Sequence, residues 1–419
     1  MKVLVVGKGG REHALVHGLW LSGCKVLATQ PNPGMAEHAQ AVHVVPTDVR
    51  GILEVCEREK PDLVVIGPEA PLVLGLADVL RAHGFATFGP GKKAAQLEAS
   101  KDFTKQFLQR HGIPTAKHVT VQSLDAALEA LGQFATPPVV KADGLAAGKG
   151  VVVPETWEEA KAALQAFLAD KTLGEAGAKV VLEERLVGPE VSALALCDGL
   201  QLLPLDLARD HKRILDGDRG ENTGGMGAVS PLPNVNEAMR ARILHEVLEP
   251  TLRGFLSDGL DFRGVIYAGI MLTADGPKVL EYNVRFGDPE AQVLIPRLGQ
   301  HLGKLLLAAA KGELAEAQLP VDAPSAVTVV LAAANYPGTP RTGDEIEGLD
   351  AAGRHADVTV YHAGTALKDG KIVTAGGRVL TVTALGETVA DARAKAYSAA
   401  REIRFAGMQM RTDIAASVA

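Results

Sequence analysis

A lysine followed by glycines and small residues, set between two β-branched runs, can wrap a phosphate. Lys141-Ala142-Asp143-Gly144-Leu145-Ala146-Ala147-Gly148-Lys149-Gly150 lies between Pro138-Val139-Val140 and Val151-Val152-Val153. A P-loop would run Gly-x-x-x-x-Gly-Lys-Ser/Thr into a helix. Here Gly144 and Gly148 stand too close together, Gly150 replaces the Ser/Thr, and a strand follows. The segment therefore reads as a long glycine-rich hairpin tip, a flap whose backbone N–H groups approach oxygens that a Cβ would block. Lys141, on the strand before it, adds a point charge.

A second row of chemistry lies near Asp275-Gly276, a two-residue turn signal joining the strands Val265–Thr273 and Lys278–Arg285. Period two puts Glu281, Asn283 and Arg285 on one face, about 6–7 Å apart, and Leu280, Tyr282 and Val284 on the other. A carboxylate, an amide and a guanidinium in a row are costly to bury unpartnered. Hard oxygen ligands beside phosphates suit Mg²⁺, and Arg285 suits a carboxylate or a transferred phosphoryl group. The alternative is a wet sheet face. Glu183 and Glu184 end an apolar strand, Lys179–Leu186. Such a strand end can offer backbone to an adenine edge and a carboxylate to ribose, or simply be solvated.

The elements that must position these groups begin with an open α/β sheet. Lys2–Gly7 reads as a buried parallel strand. Gly7-Lys8-Gly9-Gly10 turns into a helix starting at Arg11, and Lys25–Thr29, Val42–Val45, Leu63–Ile66 and Ala86–Phe88 supply further strands. A dinucleotide site fails twice: Glu12 stands where the fingerprint needs its third glycine, and Gln30 where an acid should bind ribose. The turn at the helix N-terminus can still hold a phosphate. Gly67-Pro68-Glu69 ends another strand on the same ligand-binding edge. A plain turn at Gly67-Pro68 and a solvated first helical turn at Glu12-His13 are the competing readings. Ser100 is an N-cap for a helix from Lys101 through Gln109.

With 419 residues the chain is expected to form two to four domains. A 47% hydrophobic, 22% charged composition is that of a globular protein, and a net charge of −7 with mixed signs argues against broad nucleic-acid binding. The cysteines Cys24, Cys56 and Cys197 read as isolated core thiols of a reducing compartment. No apolar run approaches a membrane span and the N-terminus lacks a signal-peptide layout, so a cytoplasmic protein without a membrane partner is expected.

Taken together, the motifs resemble the ATP-grasp superfamily, and within it the glycinamide ribonucleotide synthetase family. The resemblance is carried by Gly7-x-Gly9-Gly10-Arg11-Glu12-His13-Ala14, Gly67-Pro68-Glu69-x-Pro71-Leu72, the flap from Lys141 to Val151, and Asp210-His211-Lys212-Arg213. It continues through Asn222-Thr223-Gly224-Gly225-Met226-Gly227, the run Glu281 to Glu290, and Gly407 to Ile414, in family order over nearly the whole chain. Two departures are Tyr282, where the family more often has phenylalanine, and Ala415 in place of a glycine. The resemblance implies an N-terminal α/β domain over 1–100 and an ATP-grasp domain over 101–322 with a lid near 118–187. A C-terminal α+β domain over 323–419 would complete a monofunctional chain.

What the resemblance further implies is an activity. ATP phosphorylates glycine to glycyl phosphate, and 5-phosphoribosylamine attacks it to give glycinamide ribonucleotide, ADP and phosphate, a step of purine biosynthesis. Lys101 and Lys141 would bind the α- and β-phosphates under a flap of Gly144, Gly148, Lys149 and Gly150. Glu183, Glu184, Leu186 and Glu190 would surround adenine and ribose, and Glu281 and Asn283 would hold Mg²⁺ or Mn²⁺. Arg285 would steady glycine and the acyl phosphate, and Asp210 and Lys212 would be further catalytic residues. Gly9, Gly10, Glu12, Pro68 and Glu69 would meet the phosphoribosylamine, the loop Asn222, Thr223, Gly224, Gly225, Met226 and Gly227 would be a second substrate loop, and Asp288 would also bind substrate. A monomer is expected. Another ATP-grasp ligase or carboxylase would share Lys141, Glu281 and Asn283 but not the 222–227 loop. A nucleotide sensor would bind ATP without turnover.

Overall fold

The computed structural model describes residues 1–144 and 150–418. Gly148 and Lys149 of the flap therefore lie outside the described residues.

The continuous apolar runs of the first segment form strands buried on both faces, as a parallel sheet requires. They are β1 (Lys2–Val6), β2 (Lys25–Thr29), β3 (Ala39–Val42), β4 (Leu63–Ile66) and β5 (Thr87–Phe88), ordered β3-β2-β1-β4-β5 with every pairing parallel. Helices α1 (Gly10–Leu21), α2 (Val49–Glu59), α3 (Glu69–Val73) and α4 (Leu76–Ala82) make the connections. The strand order reverses between β1 and β4, which opens the crevice where open α/β sheets bind ligands. β3 sits earlier than the expected Val42–Val45. It is an edge strand placed by backbone pairing with β2, while Val44 is buried in the loop that follows.

After α5 (Gln96–Ala99), Ser100 Oγ accepts from Phe103 N at 3.0 Å and starts α6 (Lys101–Arg110). A four-stranded antiparallel sheet comes next: β6 (His118–Val121), β7 (Val139–Ala142), β8 (Val151–Val152) and β9 (Val180–Glu183), ordered β6-β9-β7-β8. β7 and β8 are the two arms of the glycine hairpin, paired Lys141 to Val151. The sheet has its own apolar core, including Val140, Leu164, Phe167 and Leu182.

A second antiparallel sheet contains β10 (Glu190–Asp198), β11 (Leu202–Pro204), β16 (Arg263–Thr273) and β17 (Gly276–Asn283), ordered β11-β10-β16-β17. A register shift opposite Gly269 and Ile270 bulges Leu280 out of the ladder. That bulge breaks the strict alternation expected from sequence: Leu280 is only half-buried, while Tyr282 and Val284 are buried.

The last sheet draws strands from the middle of the chain. β12 (Arg209–Asp210) and β15 (Gly227–Ser230) join β18 (Ser325–Ala332), β19 (Val358–His362) and β22 (Arg378–Gly386) in the order β12-β15-β18-β22-β19. Two hairpins complete the strands, β13 (Arg213–Leu215) with β14 (Arg219–Asn222) and β20 (Thr365–Lys368) with β21 (Lys371–Thr374). The 222–227 loop is thus pinned at one end to the C-terminal sheet. One apolar cluster runs from Leu4 and Val6 through Ile266 and Val284 to Val327 and Ile414. Cys24, Cys56 and Cys197 are buried free thiols, and burial pushes Cys56 and Cys197 up to about 12. No helix among the described residues is long and apolar enough to cross a membrane.

Candidate active site

Two elements bring the lysines together. α6 starts at Lys101, and β7 carries Lys141 one residue before its end. Asp143, at the base of the flap, accepts from Ser100 Oγ at 2.9 Å and Asp102 N at 2.8 Å, tying the flap to the first turn of α6. Burial lowers the Lys101 ammonium from its usual range, with the Glu281 charge opposing. Lys141 Nζ pairs with Glu183 Oε1 at 3.0 Å and donates to Leu280 O at 3.2 Å. The bulged Leu280 carbonyl thereby anchors a lysine from another sheet. Gly144 N donates to Ala176 O at 3.2 Å, and Gly150 O accepts from Ala142 N at 2.7 Å.

Glu183 departs from expectation. Its side chain is 2% exposed, held by Lys141 and, at 2.8 Å, by Lys105 Nζ. A carboxylate so enclosed does not reach ribose hydroxyls; it fixes Lys141. Burial presses the Glu183 carboxyl upward, but the two lysines outweigh it and hold it below the usual range. Burial brings Lys105 down to about 8. Glu184 is exposed and Leu186 half-buried, just beyond the end of β9. Glu190 does not stand free: it pairs with Lys212.

Glu281, Asn283 and Arg285 are all half-buried, while Tyr282, Val284 and Phe286 are buried. Burial opposes ionisation of Glu281, yet Lys212, Lys141, Lys101 and Arg285 outweigh it and keep the carboxylate below its usual range. One ionised carboxylate thus stands among four cations. Arg285 donates from Nη2 to Asn283 Oδ1 at 3.1 Å and from Nη1 to Phe286 O at 3.2 Å, and pairs through Nη2 with Glu98 Oε1 at 2.6 Å. Burial works against Lys212, but Glu190, Glu281 and Asp210 raise it well above the usual range. Burial, reinforced by Glu290, pushes Asp210 far up, and its Oδ1 has no hydrogen-bond partner among the described residues. Glu290 Oε1 accepts from Tyr267 Oη at 2.5 Å and Ser192 Oγ at 3.1 Å.

No group of three His, Cys, Asp or Glu among the described residues is arranged to hold a metal ion. A cation here would rest on Glu281 and the Asn283 amide oxygen, completed by phosphates and water. That donor set suits a hard divalent ion bound with a nucleotide.

The N-terminal turn is built around Glu12. Its Oε2 accepts from Gly9 N at 2.6 Å and its Oε1 from Arg11 Nε at 2.6 Å, and the residue is buried rather than solvated. A Cβ at Gly67 would lie 2.3 Å from Glu12 Oε1, so glycine is required there to seat the carboxylate. Glu12 therefore shapes the turn and does not face a ligand. Pro68 and Glu69 open α3, and Glu69 Oε2 lies 4.0 Å from Arg11 and 3.7 Å from Arg285. Gly9 and Gly10 begin α1, where a Cβ on Gly10 would meet Gln292 Nε2 at 2.8 Å. Asp288 accepts from Gln292 Nε2 at 2.7 Å and lies 3.4 Å from Arg378.

Arg378 also donates to Gly224 O at 2.5 Å, and Gly224 N donates to Tyr336 Oη at 2.9 Å. Thr223 Oγ1 accepts from Gly225 N and donates to Lys212 O, curling the loop after the half-buried Asn222. Gly225, at φ +111°, lies against Asp210 and Pro289; a Cβ would come within 2.5 Å of both. Met226 is 0% exposed, so its side chain belongs to the core and not to a substrate surface. Gly227 starts β15. Sequence reasoning missed Glu98, Lys105, Tyr267, Gln292 and Arg378. Arg11 and Glu290 lay within motifs it used, without a role.

A glycine hairpin and two lysines from one antiparallel sheet and its neighbouring helix, facing an acidic strand of a second sheet, define an ATP-grasp enzyme. The chain belongs to the phosphoribosylglycinamide synthetase family. Residues 1–98 match its N domain, 99–291 its ATP-grasp (A) domain and 326–417 its C domain. It is 49% identical over 417 residues to a phosphoribosylamine–glycine ligase of Ralstonia nicotianae, covering 99% of this chain and 98% of the relative. A Neisseria meningitidis serogroup A enzyme of the same name is 47% identical, with 99% of each chain covered. The crystal structure of a phosphoribosylamine–glycine ligase from Thermotoga maritima superposes with TM-score 0.87 at 34% identity, covering 99% of this chain and 100% of that one. A Campylobacter jejuni biotin carboxylase shares the fold, with TM-score 0.74 at 15% identity over 98% of this chain and 92% of that one.

Proposed function

We propose that this chain joins glycine to 5-phosphoribosylamine at the expense of ATP, through glycyl phosphate, giving glycinamide ribonucleotide, ADP and phosphate for purine biosynthesis. The observation that carries it is Glu281, kept ionised among Lys101, Lys141, Lys212 and Arg285. The reaction must bring a carboxylate to a triphosphate, and a cluster of cations around one metal-binding carboxylate is what that encounter requires.

In this reading Lys101 and Lys141 bind the α- and β-phosphates, with Lys141 aimed by Glu183 and Leu280 O. The flap, including Gly144, Gly148, Lys149 and Gly150, closes over them and excludes water from the hydrolysable acyl phosphate. Glu184, Leu186 and Glu190 border adenine and ribose. Glu281 and Asn283 hold Mg²⁺ or Mn²⁺, which supplies charge neutralisation when bound. Arg285 steadies the glycine carboxylate and then the acyl phosphate, with Lys212 nearby. The attacking amine loses a proton as the C–N bond forms, and the departing phosphate takes it; Asp210, pushed far up by burial, stands as the protonated acid beside Lys212. Gly9, Gly10, Pro68, Glu69, Asp288 and the backbone of 222–227 receive the phosphoribosylamine.

The domain division of 1–100, 101–322 and 323–419 is also part of this reading, as are a cytoplasmic monomer and the absence of nucleic-acid or membrane partners. Sedimentation of the purified chain tests the monomer. The function is tested by phosphate release from Mg-ATP with glycine and freshly generated phosphoribosylamine, singly and together. Release that requires both, and none with alanine, is expected. Release with another carboxylate and amine overturns the substrates.

A further inference from the structure

Arg285 has one side that is fixed and one that lacks a hydrogen-bond partner. On the fixed side stands Glu98, at 6% side-chain exposure on α5, directly before the turn that starts α6 at Lys101. Glu98 grips two parts of the same segment. Its Oε1 holds Arg285 Nη2 at 2.6 Å, and its Oε2 accepts from Val284 N at 2.9 Å. Asn283 Oδ1 and Phe286 O take further guanidinium hydrogens. On the other side, Arg285 Nε is buried without a hydrogen-bond acceptor among the described residues. The carboxylate nearest to it in an ion pair is Glu69, 3.7 Å away and 35% exposed.

We propose that Glu98 is the positioning residue for Arg285, locking the guanidinium so that its Nε edge is kept for the oxygens of a carboxylate or acyl phosphate. This rests on the ligase reading above. A free arginine samples many rotamers, and a guanidinium recognises an oxyanion through a planar edge whose direction matters. Glu98 supplies a buried charge on one side and holds the Val284 N–H, which fixes the peptide that carries Arg285. Glu69, more exposed and beyond hydrogen-bond distance, is the partner that gives way to substrate.

Glu98→Gln keeps the side-chain volume and the acceptor for Val284 N–H but removes the charge. Glu98→Asp keeps the charge and shortens the reach. Both are assayed beside the wild type for kcat and KM with glycine, ATP and phosphoribosylamine, and for glycine-dependent positional isotope exchange in ATP. For Glu98→Gln, kcat/KM for glycine and the exchange rate are expected to fall about 10- to 100-fold, the range a misplaced group gives. The KM for ATP should stay within about twofold of wild type, and Glu98→Gln should add little on top of Arg285→Lys, because the two act as one unit. Unchanged kcat/KM for glycine, or an equal fall for all three substrates, overturns the positioning role. Should Glu98→Gln fail to fold, Glu98→Asp carries the same test, with the same selective loss expected at smaller size. A wild type whose phosphate release ignores glycine overturns the ligase reading itself, whereas a normal wild type with a silent Glu98 overturns only this inference.

Discussion

Glu183→Gln should destabilise the packing of α6 on the β6-β9-β7-β8 sheet in a way that depends on pH, because the change strands a lysine. In the wild type Lys105, 1% exposed, donates to Glu183 at 2.8 Å, and Lys141 approaches from the other side at 3.0 Å. Burial still brings Lys105 from 10.5 down to about 8, which is roughly 3 kcal/mol against its charged form. Without Glu183, Lys105 sheds its proton instead. At about pH 7, holding it neutral costs the folded state roughly 5 kcal/mol relative to an unfolded lysine, or roughly 1–2 kcal/mol more than the wild type. The lost attraction of Glu183 for both lysines adds to this, and breaking a buried pair typically costs about 3–5 kcal/mol in all.

The sign of the pH dependence follows. In the wild type, between about 8 and 10.5, the unfolded chain binds more protons at Lys105 than the folded one, so stability rises with pH there. In the variant the same rise starts at lower pH, so the Lys105 share of the penalty vanishes by about pH 9. The assay is a urea melt near both pH values, followed by Trp157 fluorescence in a Trp20→Phe background, since these are the chain's 2 tryptophans and Trp157 packs on the apolar core of the β6-β9-β7-β8 sheet. A penalty of equal size at the two pH values, or none at all, refutes Lys105 as its source. Glu183→Gln combined with Lys105→Met should recover stability relative to the single change.

Three further expectations rest on separate features. Glu281→Gln should retain the fold and require at least about 10-fold more divalent cation for half-maximal phosphate release, as loss of a supporting metal contact does; an unchanged metal requirement sinks the metal assignment. Gly225→Ala places a Cβ within 2.5 Å of Asp210 and Pro289 at φ +111°, so turnover should collapse while urea stability drops by about 1–3 kcal/mol; near-normal kinetics would show that the loop can move aside. His211 and His362 are lowered to about 4 by burial, with Arg411 assisting at His211, and so stay neutral when folded. The unfolded chain binds protons first as pH falls below 6.5, so each should cost about 2 kcal/mol of stability by about pH 5. Replacing either by Gln should flatten that slope, measured as melting temperature against pH.

The chemistry of this chain was legible where it is local. Glu281, Asn283 and Arg285 share an environment because strand alternation survives the bulge between them and the turn. The pairing of β7 with β8 was legible because both arms are β-branched runs flanking a glycine-rich stretch. The bulge at Leu280 was not, since nothing in Val279-Leu280-Glu281 marks where the β16 ladder slips. The C-terminal sheet was not either: β12 and β15 span 2 and 4 residues, too short for periodicity to show, and β15 owes its place to pairing with β18 and β12 to pairing with β15. Glu183 was misread for a related reason. An acid at a strand end looks solvated until a lysine from α6 arrives beside it, and that approach belongs to the tertiary structure.

Glu98 shows the limit most sharply, because what it does depends on residues far along the chain. Glu12 holds Arg11, Arg11 faces Glu69, Glu69 faces Arg285, and Arg285 is held by Glu98. Acids and bases alternate along this line from the N-terminal turn, through the start of α3, to the end of β17 and back to α5. Its two ends are buried and close, at 2.6 Å each, while its middle contacts through Glu69 are 4.0 and 3.7 Å. Coulomb attraction falls with distance and with exposure to water, so the ends are the fixed points and Glu69 the adjustable one. Each acid taken alone reads as a solvated surface group. Only the fold makes Glu69 the junction between the sheet edge proposed to receive phosphoribosylamine and the arginine proposed to hold glycine, so that a ligand displacing Glu69 at either side acts on both.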